Sequence, residues 1–230
     1  MIRKISLPFF SFVILLFFSM TACSVPPKAP LAEVPKATGP TVTVMTYNVE
    51  NLFDLKDDPK KADETFLPIE LKKSEAHQVK CQKIAKKFWR DQCLHWNWNK
   101  EALDLKMDRL AKVVRQVNEG KGPDLLFLQE VENKDVLKDW NTRYLKDLGY
   151  SQVGLIEGSD LRGIDVAFLS RLPIKGTPQL HKIPFKNIKQ SQKQDTRGIL
   201  QVSFQLPDDQ TLTVFVVHFP APFHPAQLRA

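Results

Sequence analysis

A change of hydrophobic period between residues 101 and 128 limits the folds open to this chain more than any other feature. Over Glu101–Val117, Leu103, Met107, Leu110, Val114 and Val117 recur at spacings of four and three, and Asn118-Glu119-Gly120 ends the pattern. The spacing predicts an amphipathic helix with a glycine stop. Pro123-Asp124 then leads into Leu125-Leu126-Phe127-Leu128, a continuous apolar run of the kind found in strands buried on both faces.

Further elements follow the same logic. Thr41–Tyr47 is rich in β-branched residues and reads as a first strand, with Asn48 at its carboxyl end. Val136, Trp140, Tyr144 and Leu148 suggest a second helix between Lys134 and Leu148, and Tyr150–Ile156 and Asp165–Ser170 read as strands. Gly198, Leu200, Val202, Phe204 and Leu206 alternate with polar residues, and Pro207-Asp208-Asp209-Gln210 turns the chain into Thr211–His218, a β-hairpin with one buried face. Strand and helix signals interleave early and hairpins dominate later, so the expected class is α/β or α+β with a mixed sheet. No internal repeat is visible.

The amino terminus is a different kind of sequence. Arg3 and Lys4 precede an apolar run from Ile5 to Met20, and Met20-Thr21-Ala22-Cys23 closes it with small residues before a cysteine. This reads as a secretory signal over residues 1–22 with a cleavage site. It resembles a bacterial lipoprotein signal, which implies that Cys23 becomes the lipidated N-terminus; an uncleaved membrane anchor is the alternative. Either reading puts the rest of the chain outside the cytoplasm. Ser24 after the cysteine, by the lipoprotein resemblance, implies the outer membrane or the periplasm. Residues 24–40 carry Pro26, Pro27, Pro30, Pro35 and Pro40 without apolar periodicity. Extended at about 3.1 Å per residue, this tether holds a domain up to roughly 50 Å from the anchor. The domain then spans residues 41–230.

With 230 residues, 43% hydrophobic and 26% charged, the chain has room for one globular domain plus appendages, and collagen-like, coiled-coil or wholly disordered architectures are excluded. Loss of Arg3 and Lys4 with the signal lowers the formal charge from +7 to +5. A basic balance suits an anionic partner, such as a phosphate-bearing substrate or nucleic acid.

Between the first strand and the first helix lies an insertion, residues 54–100, that holds Cys81 and Cys93. In an oxidising compartment the two can pair, closing a loop worth roughly 3 kcal/mol; free thiols and intermolecular pairing are the alternatives. A zinc site is disfavoured, because no second Cys pair or close His accompanies them. Lys72, Lys73, Lys80, Lys83, Lys86, Lys87 and Arg90 run beside Trp89, Trp96 and Trp98. Such residues can hold single-stranded nucleic acid by phosphate pairing and stacking. The favoured expectation is plainer: Ile84, Phe88 and the tryptophans pack the insertion down, and the lysines form its solvated face.

Polar residues stand where apolar strands end, which is where α/β proteins place ligands. They are Asn48 in MTYNVENLFD, Glu130 in LLFLQEVEN and His218 in VFVVHFPAP, with Arg197 in DTRGILQVSF at the start of the hairpin. They offer an amide, an oxygen ligand for a hard cation, an imidazole donor and a guanidinium suited to phosphate. Singly, Asn48 reads as a turn residue, Glu130 as a helix-capping carboxylate, Arg197 as a strand-edge solubiliser and His218 as a core histidine.

Together, YNVENLFD at Tyr47–Asp54, LQEVEN at Leu128–Asn133, RGIDVAFLSR at Arg162–Arg171, TRGIL at Thr196–Leu200 and HFPAP at His218–Pro222 resemble the endonuclease/exonuclease/phosphatase superfamily. The resemblance implies a four-layered α/β sandwich, two mixed sheets face to face with helices outside. It further implies Mg²⁺ or Mn²⁺ on Glu130, with Asn48 helping to hold the metal site and the attacking water. Arg197 would lie near the scissile phosphate, His218 would donate to a phosphate oxygen, and Asp165 would have a subsidiary place. The family's later Gly-Asp-x-Asn motif and terminal Asp-His pair do not occur. The expectation is therefore a truncated domain with a phosphate-ester substrate and weak or no turnover by itself, or a noncatalytic phosphate- or nucleic-acid-binding surface lipoprotein. No protein partner is implied.

Overall fold

The computed structural model describes residues 41–58, 60–183 and 197–219. The signal segment, Cys23, the tether and the last eleven residues lie outside them. In chain order come β1 (Val44–Leu52), two 3-10 turns (Glu64–Phe66 and Leu71–Lys73), α1 (Glu75–Gln82), α2 (Lys87–His95) and α3 (Lys100–Val114). Then follow β2 (Leu125–Val131), α4 (Lys134–Tyr144), a third 3-10 turn (Lys146–Leu148), β3 (Gln152–Leu155), β4 (Asp165–Ser170), β5 (Gln179–His181), β6 (Ile199–Gln205) and β7 (Thr211–Val216).

The strands form two sheets, one ordered β1-β2-β4-β3 and one β5-β6-β7. Only β1 and β2 run parallel; β2–β4, β3–β4 and both pairs of the second sheet are antiparallel. Strand β2 shows why an apolar run needs no polar alternation. Leu126 and Leu128 face a core shared with Leu103, Met107, Leu110 and Val114 of α3 and with Val136, Leu137 and Trp140 of α4. Leu125 and Phe127, on the opposite face, join Val166 and Phe168 against Leu200, Val202, Phe204 and Val216 of the second sheet. Period 2 thus sends alternate residues into two different cores. Helices, sheet and sheet make three layers of the expected four among the described residues. The Trp140 indole donates to the Met107 carbonyl at 2.9 Å, fastening α4 to α3. At the far sheet edge Gly154 lies opposite Phe168, and a Cβ there would come within 2.0 Å of the ring, so the ring occupies the space a side chain would need.

Several boundaries differ from the sequence reading. The helix read over 101–117 ends at Val114, because the Gln116 and Val117 amides donate to carbonyls only three residues back, and Asn118 and Glu119 at φ 53° and Gly120 at 91° then turn the chain away. The span 134–148 divides: Leu145, at φ −123°, breaks the α-helix, and the remainder is a 3-10 turn ending on left-handed Gly149. The first strand runs on to Leu52 through an irregularity that carries the site, and β3 is shorter than Tyr150–Ile156. Strand β5, three residues long, carries too little pattern to read in advance.

Helix α4 starts on a cap that also reaches across the fold. Asn133 Oδ1 accepts from the amides of Asp135 (3.0 Å) and Val136 (2.9 Å), while its Nδ2 donates to Asp54 Oδ2 at 3.2 Å. Asn133→Ala is expected to cost about 1 kcal/mol, read as a lower urea midpoint at unchanged slope.

In the insertion, Cys81 and Cys93 form a disulfide with Cα atoms 5.6 Å apart, joining α1 to α2, and Ile84 and Leu94 pack around it. The aromatic side chains depart from the packed-down expectation. Trp98 is seated, its indole donating to the Phe53 carbonyl at 3.2 Å, but Phe88 is 63%, Trp89 52% and Trp96 47% exposed. The small core of the insertion takes only Cys93 and Leu94 from α2, which leaves Phe88 and Trp89 uncovered, and Trp96 follows the helix's last residue.

Candidate active site

Strands β1 and β2 lose register at the same height. Asn48 pairs with Gln129 and Leu52 with Val131, so three residues of β1 bulge opposite one of β2, and on its other side β2 resumes with Val131 opposite Asp165. Glu50, Asn51 and Glu130 all have positive φ, 54°, 64° and 68°. A bulge re-aims a side chain out of the sheet's alternation, and a non-glycine residue at such φ holds strain that the surrounding structure must maintain.

The re-aimed Glu130 meets residues from both sheets. Asn48 Nδ2 donates to its Oε1 at 3.1 Å, and His218 Nε2, two residues past the end of β7, lies 3.3 Å from the same oxygen. Three of the expected site residues therefore converge at the rim between the sheets. Both contacts fall on Oε1; among the described residues no donor reaches Oε2. A carboxylate with a side-chain amide beside it matches what Mg²⁺ or Mn²⁺ requires, since such ions take one or two carboxylates and fill the rest of their shell with water. The donor set fits a divalent metal.

His218 is held below the ordinary imidazole pKa, chiefly by burial and next by Arg197, against the pull of Glu130. The shift favours the neutral ring, and because Nε2 faces a carboxylate oxygen the fitting tautomer carries its proton on Nε2. Lys106, on α3, donates to the Glu50 carbonyl at 3.0 Å, and its charge is felt by Glu50 and Glu130 while burial lowers its own pKa.

Arg197 sits where the second sheet begins, and its guanidinium is ion-paired with Asp160 at 2.9 Å, both side chains almost fully buried. It is thus committed to a carboxylate within the fold, close enough to His218 to influence its charge. Asp160 also accepts from the Arg162 amide at 2.9 Å. Asp165 opens β4 behind Glu130, 2% exposed, and accepts from the Gly158 amide at 3.0 Å. A Cβ on Gly158 would lie 2.7 Å from that carboxylate oxygen, so glycine permits the approach. Burial raises the Asp165 pKa to about 6, with Asp160 and Glu157 adding and Lys61 opposing. Glu132, buried just beyond the bulge, accepts from the Asp54 amide at 2.6 Å and is raised to about 8, again mainly by burial.

Sequence reasoning missed Asp160, Lys106 and Glu132. Lys106 had one faint signal, its place next to Met107 at the border of the α3 apolar stripe. Beside the bulge opens a cleft of about 440 Å³ whose floor is Glu50, Asn51 and Lys106 and whose walls include Phe66, Phe88, Trp89, Trp96 and Trp98.

A family model described as endonuclease/exonuclease/phosphatase family matches residues 43–91 and 92–225, most of the 230. The chain belongs to that family. All five motifs fall inside the matched stretches, and the break between them falls in α2, within the insertion. It is a phosphoesterase-type domain of the endonuclease/exonuclease/phosphatase family, whose members are typically dependent on divalent metals. The crystal structure of endonuclease/exonuclease/phosphatase from Beutenbergia cavernae DSM 12333 is similar at 24% identity and a TM-score of 0.42, over 53% of this chain and 34% of that one. The chain thus spans about a third of that structure's length. No curated protein matches.

Proposed function

We propose that this chain is a metal-dependent phosphoester hydrolase centred on Glu130, Asn48 and His218. The observation that carries the reading is the double convergence on Glu130 Oε1, which holds the carboxylate in one orientation. Mg²⁺ or Mn²⁺ would sit on Glu130 with Asn48 alongside, and its chemistry is the neutralisation of charge on phosphoryl oxygens. The rest falls to the chain's own groups. On substrate binding the single Nε2–H of neutral His218 would pass from Glu130 Oε1 to a nonbridging phosphate oxygen. Asp160 fixes Arg197, so that its positive field lies across the site at no conformational cost. Lys106 tethers the β1 bulge and adds a second positive charge beside the reacting group.

In the same reading Cys23 carries lipid, residues 23–40 act as a tether and the domain works outside the cytoplasm. The disulfide supports an oxidising compartment.

The favoured substrate is an unpaired polynucleotide. Exposed rings of the insertion stand over the bulge, and Lys83, Lys86 and Lys87 are exposed on and beside α2. Stacking with backbone charge pairing is how single strands are held. Trp89→Ala together with Trp96→Ala is expected to raise KM for a single-stranded oligonucleotide about tenfold or more, at about 1–3 kcal/mol per stacked base. KM for a small non-nucleotide phosphodiester should move little, and equal changes for both substrates would remove the cleft from the reading.

The test of the activity itself is hydrolysis of bis(p-nitrophenyl) phosphate by the full chain with Mg²⁺ or Mn²⁺, stopped by a chelator. Oligonucleotide binding without turnover in either metal would instead favour a noncatalytic binding lipoprotein.

A further inference from the structure

The loop that opens the insertion is rich in carboxylates, five against the three lysines Lys56, Lys60 and Lys61. Between Asp54 and Glu64 it carries Asp54, Asp57, Asp58, Asp63 and Glu64. One carboxylate oxygen from each of Asp57, Asp63 and Glu64 lies within 4.8 Å of the others. Asp63 is 1% exposed and Glu64 8%. Asp63 Oδ2 accepts from the Asp58 amide at 2.9 Å, but Oδ1 is buried with no hydrogen-bond donor on it among the described residues. A buried acceptor left without a donor costs about 1–3 kcal/mol, more when charged.

We propose that Asp57, Asp63 and Glu64 form a second cation site, separate from Glu130, which takes calcium. The donors are all oxygen and two of the three are nearly buried, which suits a hard cation of irregular coordination. Calcium bonds of about 2.3–2.6 Å let one ion bridge oxygens up to about 5 Å apart. The grouping of His77, Cys81 and Cys93 is not a rival, because both sulfurs are consumed by the disulfide. Lys80 pairs with Glu64 through a half-exposed side chain that can swing into solvent, so it competes with the ion without closing the site. The site has a structural consequence. The Ala62 amide donates to the Leu161 carbonyl at 2.7 Å and Lys61 Nζ to the Asp160 carbonyl at 3.3 Å. A bound ion therefore stiffens the turn whose Asp160 holds Arg197.

The experiment uses the full chain carrying Glu130→Ala, which disables the first site, in calorimetric titration and thermal unfolding with CaCl₂. One binding event is expected, with Tm raised by about 5–10 °C at calcium a hundredfold above Kd and by less in equal Mg²⁺. On that background Asp57→Asn, at an exposed position that leaves folding alone, should weaken binding at least about tenfold, and Lys80→Gln should tighten it. Asp63→Asn should abolish it. No heat and no Tm shift at about 10 mM CaCl₂, a concentration above the range of weak extracellular calcium sites, overturns the proposal. So does a titration unchanged in Asp57→Asn, or a magnesium shift as large as that of calcium.

Discussion

Glu130→Gln is expected to lower metal-dependent phosphodiester hydrolysis at least about a thousandfold while the protein remains folded. The change is nearly isosteric, and the amide oxygen can still accept from Asn48, so the bulge keeps its shape. What is lost is the negative charge that holds the cation. Electrostatic stabilisation of a developing charge in a water-poor site is worth about 3–4 kcal/mol for a single well-placed donor, and a metal supplies at least as much. Turnover of bis(p-nitrophenyl) phosphate across a Mg²⁺ series, with circular dichroism as the folding control, measures the effect. Activity within tenfold of the parent would detach the chemistry from Glu130. A companion variant, Glu130→Gly, tests why the backbone is shaped as it is. At φ 68° glycine is at ease and glutamate is not, so this variant should be inactive yet no less stable, with strain relief of about 1 kcal/mol offsetting the lost contacts. A protein that keeps a strained glutamate there does so for its carboxylate.

How much of this was legible in the sequence depends on whether a residue's role is set by its own strand or by a distant one. Asn48, Glu130 and His218 could be found because each stands at the end of an apolar run, and their meeting follows from the runs lying side by side. The bulges that aim them left little trace, because Glu50, Asn51 and Glu130 are not glycines and only Asn51 is of a type that favours positive φ. Arg197 was visible as a cation but its partner was not: Asp160 lies in a turn without periodicity, and only the fold brings it to 2.9 Å. The insertion misled for a third reason. Phe88, Trp89 and Trp96 look like core by composition, yet the small core around the disulfide takes only Cys93 and Leu94 from α2. Aromatic content predicts burial only where a second element exists to cover it.

Asp165→Asn should make the protein more stable at pH 7–8 and nearly unchanged at pH 4. The native carboxyl titrates near 6, against an ordinary value of 3.8, because burial disfavours its charge. The native state thus binds this proton more tightly than the unfolded chain does. The associated stability is present in full below about pH 4 and is lost as pH rises through about 6. Two units correspond to about 3 kcal/mol. The asparagine carbonyl can go on accepting from the Gly158 amide, so the variant keeps the contact and drops the titration. Urea unfolding of both proteins in EDTA at pH 4, 5, 6, 7 and 8 gives the difference curve, in which the upward shift of Glu132 is common to both and cancels. A step centred between about pH 4 and 6 is expected, and a flat difference would mean that Asp165 carries no excess proton. The same variant separates two roles for the residue. Were Asp165 only a buried strand opener, hydrolysis would persist in the more stable protein. A fall in kcat alongside the gain in stability, at unchanged KM, is the result expected of a charge kept behind Glu130 at a cost to the fold.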